Sequence, residues 1–198
     1  MRIGILQTNP VVGDLDGNAD RLAEAARKLT ARGAQLCVSG ELAVCGYPPR
    51  DLLLYQGFVH RAEDAVTRLA RNAVDCCPLL VGGVAANAGQ GRPVHNTAFL
   101  LRAGRVERTF HKTLLPTYDV FDEDRYFQPN PNGGANNIFG LDGLHIGVTI
   151  CEDAWNDKDF WPRRRYDADP LERLAEAGTD LVVNLSSSPF AMGKQDLR

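Results

Sequence analysis

The chain has 198 residues, 44% of them hydrophobic and 24% charged, with a formal net charge of −3 at pH 7. That suits one globular domain with a sizeable core, and the slight acidic balance leaves no electrostatic footprint for nucleic acid or an anionic membrane surface. No apolar run approaches the ~20 residues of a membrane-spanning helix, and residues 1–10 lack the apolar stretch and cleavage site of a secretion signal, so a cytoplasmic protein is expected.

In chain order, Ile3 to Gln7 reads as a short buried strand. Asn18 to Arg32 has helical spacing, with Leu22, Ala25, Ala26 and Leu29 on one face and Gly33 as the stop. Gln35 to Ser39 is the next strand, Val59 to Cys76 the second helix, and Leu79 to Ala85 a third strand. This alternation argues for a parallel-rich α/β core, and by periodicity alone for a doubly wound sheet. Asn96–Arg102 and Arg105–His111 then read as a hairpin turning at Ala103-Gly104. Residues 114–134 are irregular and rich in Pro, Asn and Asp, a length that usually carries function. Strand character returns at Asn137–Phe139 and His145–Ile150. A helix capped by Asp169, with Pro170 in its first turn and Gly178 as its stop, leads to a last strand, Leu181–Leu185. The ending reads as a loop entering another element, so an incomplete domain is expected.

Five cysteines stand at 37, 45, 76, 77 and 151, an odd number without CxxC pairs or clustered histidines. A disulfide framework and a metal site are not expected, and vicinal Cys76-Cys77 reads as a packing feature. At most one thiol calls for a chemical explanation. Cys151 follows the strand 145–150, Glu41 follows 35–39, and Lys112 follows 105–111. Ligand sites in α/β sheets form beyond the carboxyl ends of strands, so the three can converge on one cleft. Taken singly, each has a plainer reading: a small core residue, a solvated loop acid, a surface lysine.

Together they form a set for amide hydrolysis. The carbonyl carbon needs a strong nucleophile, and a thiol with an ordinary pKa near ~8.5 becomes one beside a cation. Lys112 supplies the cation and a donor for the oxyanion, a role worth roughly 3 kcal/mol. Glu41 can protonate the leaving amine and then activate water, contributing about 10²–10⁴-fold. A Cys–His mechanism would need His60, His95, His111 or His145. His145 lies at the far end of the strand, about 20 Å from Cys151 at ~3.3 Å per residue, and only His111 shares the address.

Four local stretches carry a resemblance: Gly40-Glu-Leu-Ala-Val-Cys-Gly-Tyr-Pro-Pro-Arg-Asp51, His111-Lys-Thr-Leu-Leu-Pro-Thr-Tyr118 running on to Phe127, Ile150-Cys-Glu-Asp-Ala-Trp-Asn156, and Asn184-Leu-Ser-Ser-Ser-Pro-Phe190. In order and context they resemble the nitrilase superfamily of carbon–nitrogen hydrolases, and within it the glutaminase domains of glutamine-dependent NAD synthetases, over residues 1–198. The resemblance implies a four-layer α-β-β-α sandwich, here without its last elements, in place of the doubly wound sheet. It implies Glu123 as a second glutamate that positions the lysine and the substrate amide. It implies glutamine as substrate, held by Tyr118, Glu152 and Ser188, with Lys194 as an addition. It also implies assembly into homo-oligomers, and no cofactor in this domain. ATP and Mg²⁺ would belong to a synthetase domain, whose Ser-Gly-Gly-x-Asp-Ser loop these residues do not contain. Two alternatives stand beside this: an amidase of the same superfamily acting on another small amide, and a non-catalytic assembly module.

Overall fold

The computed structural model describes residues 1–157, 159, 163–189 and 192–193. The elements run β1 (Ile3–Leu6), α1 (Leu15–Ala31), β2 (Leu36–Ser39), α2 (Gln56–Asn72), β3 (Leu79–Ala86), β4 (Val94–Arg102), β5 (Arg105–His111), β6 (Ile138–Leu141), β7 (Leu144–Ile150), α3 (Pro170–Glu176) and β8 (Leu181–Leu185). Helix α1 starts where the Asp14 carboxylate accepts the Gly17 N–H, and it buries Leu15, Ala19, Leu22 and Ala26 at helical spacing. Asp169 caps α3 in the same way, accepting from the Glu172 N–H with Pro170 at the first turn. At the β4–β5 hairpin both turn residues, Ala103 and Gly104, have positive φ (51° and 78°), the pairing a two-residue turn needs to follow the strand twist.

The strands form two sheets, five strands in the order β1-β2-β3-β4-β5 and three in the order β6-β7-β8. β1, β2 and β3 are parallel, whereas β4 and β5 each reverse direction. Two reversals return β5 to the direction of β2, so the carboxyl ends that carry Glu41 and Lys112 lie at one edge of the sheet. In the second sheet β7 and β8 are parallel in the register Ile146↔Leu181 to Ile150↔Leu185, with β6 antiparallel to β7.

Each face of the larger sheet has its own core. Leu79 and Val81 of β3 pack with Leu22, Ala26, Val66 and Leu69 of α1 and α2. Leu80, on the opposite face, packs with Leu36, Val38, Leu100 and Phe110 against Phe139, Ile146, Val148 and Leu185 of the second sheet. Helix α3 lies on that sheet's outer face, where a Cβ at Gly147 would stand 3.0 Å from Leu174. The order of layers is therefore α-β-β-α, which corrects the doubly wound expectation. A sheet covered by helices on both sides and one sandwiched between helices and a second sheet bury both faces, so their strands read alike as apolar runs.

One glycine joins this architecture to the site. The turn after β2 crosses β3 at Gly82, where a Cβ would come within 2.5 Å of Gly40 O and Leu42 N and 2.9 Å of Glu41 C. The Gly82 N–H donates to Ser39 Oγ and its carbonyl accepts from Val44 N–H, which fixes the crossing. Gly82→Ala should lower stability by about 1–3 kcal/mol, as overpacking does, and displace Glu41. A fall in the urea midpoint, together with a displaced Glu41 side chain in a crystal structure of the variant, checks this.

Candidate active site

Cys151 is the first residue beyond β7 and opens a short 3₁₀ turn, Cys151–Ala154, with φ at 45°. The left-handed backbone at a residue with a side chain is uncommon and turns the chain sharply out of the strand. Asp153 fixes the turn from below: Oδ2 accepts from Ile150 N–H, and Oδ1 accepts from the N–H groups of Thr113 and Leu114, just past Lys112. One buried carboxylate thus ties the Cys151 turn to the segment after Lys112.

Lys112, Glu41 and Glu123 meet in the interior, at 1%, 2% and 4% exposure. Lys112 Nζ donates to Glu41 Oε1 and to Glu123 Oε2, each at 2.7 Å. Asn96 Nδ2 adds a 2.8 Å bond to Glu41 Oε1, and the Ser187 N–H a 3.2 Å bond to Oε2. Tyr47 O–H donates to Glu123 Oε1 at 3.0 Å. The Ser186 hydroxyl reaches the Cys151 sulfur at 3.5 Å, and Asn184 Nδ2 reaches the Cys151 carbonyl at 3.3 Å.

The charges decide the protonation states. Burial, with the Glu41 charge beside it, pushes the Cys151 thiol up to about 12, against the pull of Lys112 and the Ser186 hydrogen bond. Lys112 is held charged, well above its ordinary value, because Glu41 and Glu123 outweigh its desolvation. Burial raises Glu123 to about 7 despite Lys112, and the Glu41 charge adds to the rise. Lys112 pulls the thiol toward the thiolate, as expected of a neighbouring cation, but its ammonium is engaged by two carboxylates and burial outweighs it.

The remaining expected residues sit around this centre. The Glu152 carboxylate is buried and accepts from Tyr118 O–H (2.9 and 2.8 Å to its two oxygens) and from Tyr166 O–H at 3.0 Å. The Arg165 guanidinium lies 3.7 Å from the Tyr118 ring centroid. Ser188 lines a cleft of about 430 Å³ with Gln7, Ser39, Glu41, Ser186 and Ser187. Lys194 lies outside the described residues. No described histidine joins the triad: His111 Nδ1 is 2.9 Å from Thr97 Oγ1, its ring stacks on His95, and burial lowers it to about 4. Among the described residues no group of three or more His, Cys, Asp or Glu side chains could hold a metal ion, and no helix is long and apolar enough to cross a membrane.

The sequence model of carbon–nitrogen hydrolases matches residues 2–195. The chain belongs to the carbon–nitrogen hydrolase family. It is 45% identical to a glutamine-dependent NAD(+) synthetase of Synechocystis sp., over 99% of this chain and 35% of that protein. To the corresponding protein of Xanthomonas campestris it is 37% identical, over 100% of this chain and 33% of the other. The chain thus spans about a third of the length of the curated relatives it matches. Among solved structures, the glutamine-dependent NAD+ synthetase of Acinetobacter baumannii superposes with a TM-score of 0.82 at 30% identity, covering 99% of this chain and 34% of that one. An amidase from Nesterenkonia sp. shares the fold, at 19% identity and a TM-score of 0.74, over 98% and 68% of the two chains.

Several residues of this carbon–nitrogen hydrolase site were not legible beforehand. Asn96 and Tyr47 reach the two glutamates from 55 and 76 residues away, and no local pattern marks them. Asn156 is buried and staples the following loop: its Nδ2 donates to the Tyr166 and Ala168 carbonyls, and its Oδ1 accepts from the N–H groups of Arg165 and Tyr166. That fold-back delivers Tyr166 to Glu152. The one available signal was Asp153, an acid two residues past Cys151 at the end of a buried strand.

The Glu123 shift has a sign that can be checked. The folded state holds this proton up to about pH 7, whereas the ordinary carboxyl releases it near 4.5, so the stability it contributes is lost as pH rises through that window. Urea midpoints of the wild type should fall between pH 4.5 and 7 more steeply than those of Glu123→Gln.

Proposed function

We propose that this carbon–nitrogen hydrolase hydrolyses the side-chain amide of glutamine with Cys151 as nucleophile, Glu41 as general base and acid, and Lys112 and Glu123 as the charged frame. In the same reading residues 1–198 form the glutaminase part of a glutamine-dependent NAD synthetase, and the released ammonia feeds a synthetase domain that uses ATP and Mg²⁺. The observation that carries it is the contact of Lys112 with Glu41 at the edge where Cys151 leaves β7. The names of the relatives supply the substrate.

Because the thiol is protonated at rest, its proton passes to Glu41 Oε as the sulfur attacks the amide carbon. Two of the three Lys112 N–H donors are engaged by Glu41 and Glu123, and the third is assigned to the oxyanion. Glu41 returns the proton to the departing nitrogen, which leaves as ammonia, and the acyl group remains on sulfur as a thioester. Glu41 next takes a proton from water as its oxygen attacks the thioester carbon. Glutamate departs, and the sulfur recovers its proton. Glu123, anchored by Tyr47, keeps the ammonium between the two acids.

Glutamine differs from simple amides in its charged head. The Glu152 carboxylate, held by Tyr118 and Tyr166, is assigned to the α-ammonium group, and Ser188 with Lys194 to the α-carboxylate. The protein is taken to be cytoplasmic and homo-oligomeric.

Two outcomes test this on the full-length protein. Cys151→Ala should reduce ammonia release from glutamine to the uncatalysed background; unchanged release would overturn the assignment. Glu152→Gln should raise KM for glutamine by about tenfold, a loss of ~1.4 kcal/mol, and leave the hydrolysis of short aliphatic amides unaltered. Equal effects on both classes would instead favour an amidase for small neutral amides.

A further inference from the structure

Cys37 and Cys77 were expected to be unremarkable thiols, one in a strand and one beside a vicinal neighbour. The fold brings them together from 40 residues apart, with their sulfurs 3.6 Å from each other. Cys37 stands in the middle of β2, fully buried. Its N–H donates to the carbonyl of Pro78, the residue after Cys77, so the backbone already holds the two segments side by side. Cys77 is only half-buried, at the junction between α2 and β3.

Thr30, near the end of α1, bonds to Cys77 through both its sulfur and its backbone. The Thr30 hydroxyl lies 3.3 Å from the Cys77 sulfur as donor, and the Cys77 N–H donates back to Thr30 Oγ1 at 3.2 Å. Cys76, its vicinal neighbour, has no such contact with Cys37 among the described residues. Gly4 of β1 is paired with Cys37, and the Cys37 sulfur lies within 3.0 Å of where a Gly4 Cβ would be, so the absence of a side chain at Gly4 is what gives this sulfur its place.

We propose that Cys37 and Cys77 form an oxidant-sensitive pair that hydrogen peroxide converts to a disulfide, tying β2 to the α2–β3 junction. The half-buried Cys77 sulfur attacks the peroxide first: an S–O bond forms, the O–O bond breaks, and the leaving oxygen departs as hydroxide with the Cys77 proton, that is, as water. The Cys37 sulfur then attacks the sulfur of the Cys77 sulfenic acid. The S–S bond forms, the S–O bond breaks, and the hydroxyl leaves as a second water with the Cys37 proton. Two thiols lose two electrons, and one peroxide gains them. Burial together with the adjacent Cys77 pushes the Cys37 thiol up to about 12, consistent with Cys37 keeping its proton until this second step.

The pair lies in the helix-side core, whereas Cys151 belongs to the core between the sheets. The cross-link therefore stands or falls independently of the glutaminase reading. The test is treatment of the full-length protein with hydrogen peroxide, alkylation of residual thiols, and peptide mapping without reductant, with fragmentation to assign each sulfur. A Cys37–Cys77 cross-linked peptide, lighter than its two thiol parents by about 2 Da, is expected in the wild type and in Cys76→Ser. It should vanish in Cys77→Ser, whose half-buried position tolerates the change, and in Cys37→Ser, and it should be reversed by dithiothreitol. A Cys37 that remains alkylatable only after denaturation and never cross-links, or a Cys76–Cys77 bond as the main product, would overturn the proposal.

Discussion

A single ammonium group shared by two buried carboxylates sets the terms for everything around it. Lys112 could not be taken out of water alone, because an unpaired buried cation costs several kcal/mol even after relaxation. Glu41 and Glu123 compensate it, but together they carry one negative charge more than the lysine cancels. Burial foremost, with the neighbouring carboxylate charge added to it, raises Glu123 to about 7 and the Cys151 thiol to about 12. A third anion in that space would be repelled.

The fold supplies the geometry that this charge arrangement demands. Two strand reversals point the carboxyl end of β5 the same way as that of β2, and the bare position at Gly82 lets the Glu41 turn cross β3 toward it. The second sheet closes over the same edge, with Cys151 from β7 and the Ser186–Ser187 loop from β8. Asp153 then couples the nucleophile turn to the backbone after Lys112, so neither can shift without stranding buried N–H groups.

Glu41, Lys112 and Cys151 could be singled out because each stands at a strand's carboxyl end: Lys112 and Cys151 directly follow β5 and β7, and Glu41 is two residues past β2. Element limits were also close: β5 and β8 have the expected bounds, while α1 and α2 begin three residues earlier than apolar spacing alone suggested. The arrangement of the strands was not legible from periodicity, since burial on both faces erases the alternation that would have separated one sheet from two. The four stretches of family resemblance repaired that reading. Asn96, Tyr47, Tyr166 and the Cys37–Cys77 contact stayed hidden for one reason. Each depends on a partner 14 to 76 residues away, and its own neighbours say nothing about that partner.

Asn156 carries a consequence of another kind. Four hydrogen bonds from this one side chain anchor the returning limb of the loop, and all four go to backbone atoms. Backbone anchoring is indifferent to which side chains the limb bears, so the residues facing Glu152 can change without loosening it. Around Lys112, by contrast, side chain meets side chain: its ammonium with Glu41 and Glu123, Asn96 with Glu41, and Tyr47 with Glu123. Tolerance of substitution is thereby divided between a limb held by its backbone and a centre whose side chains constrain one another.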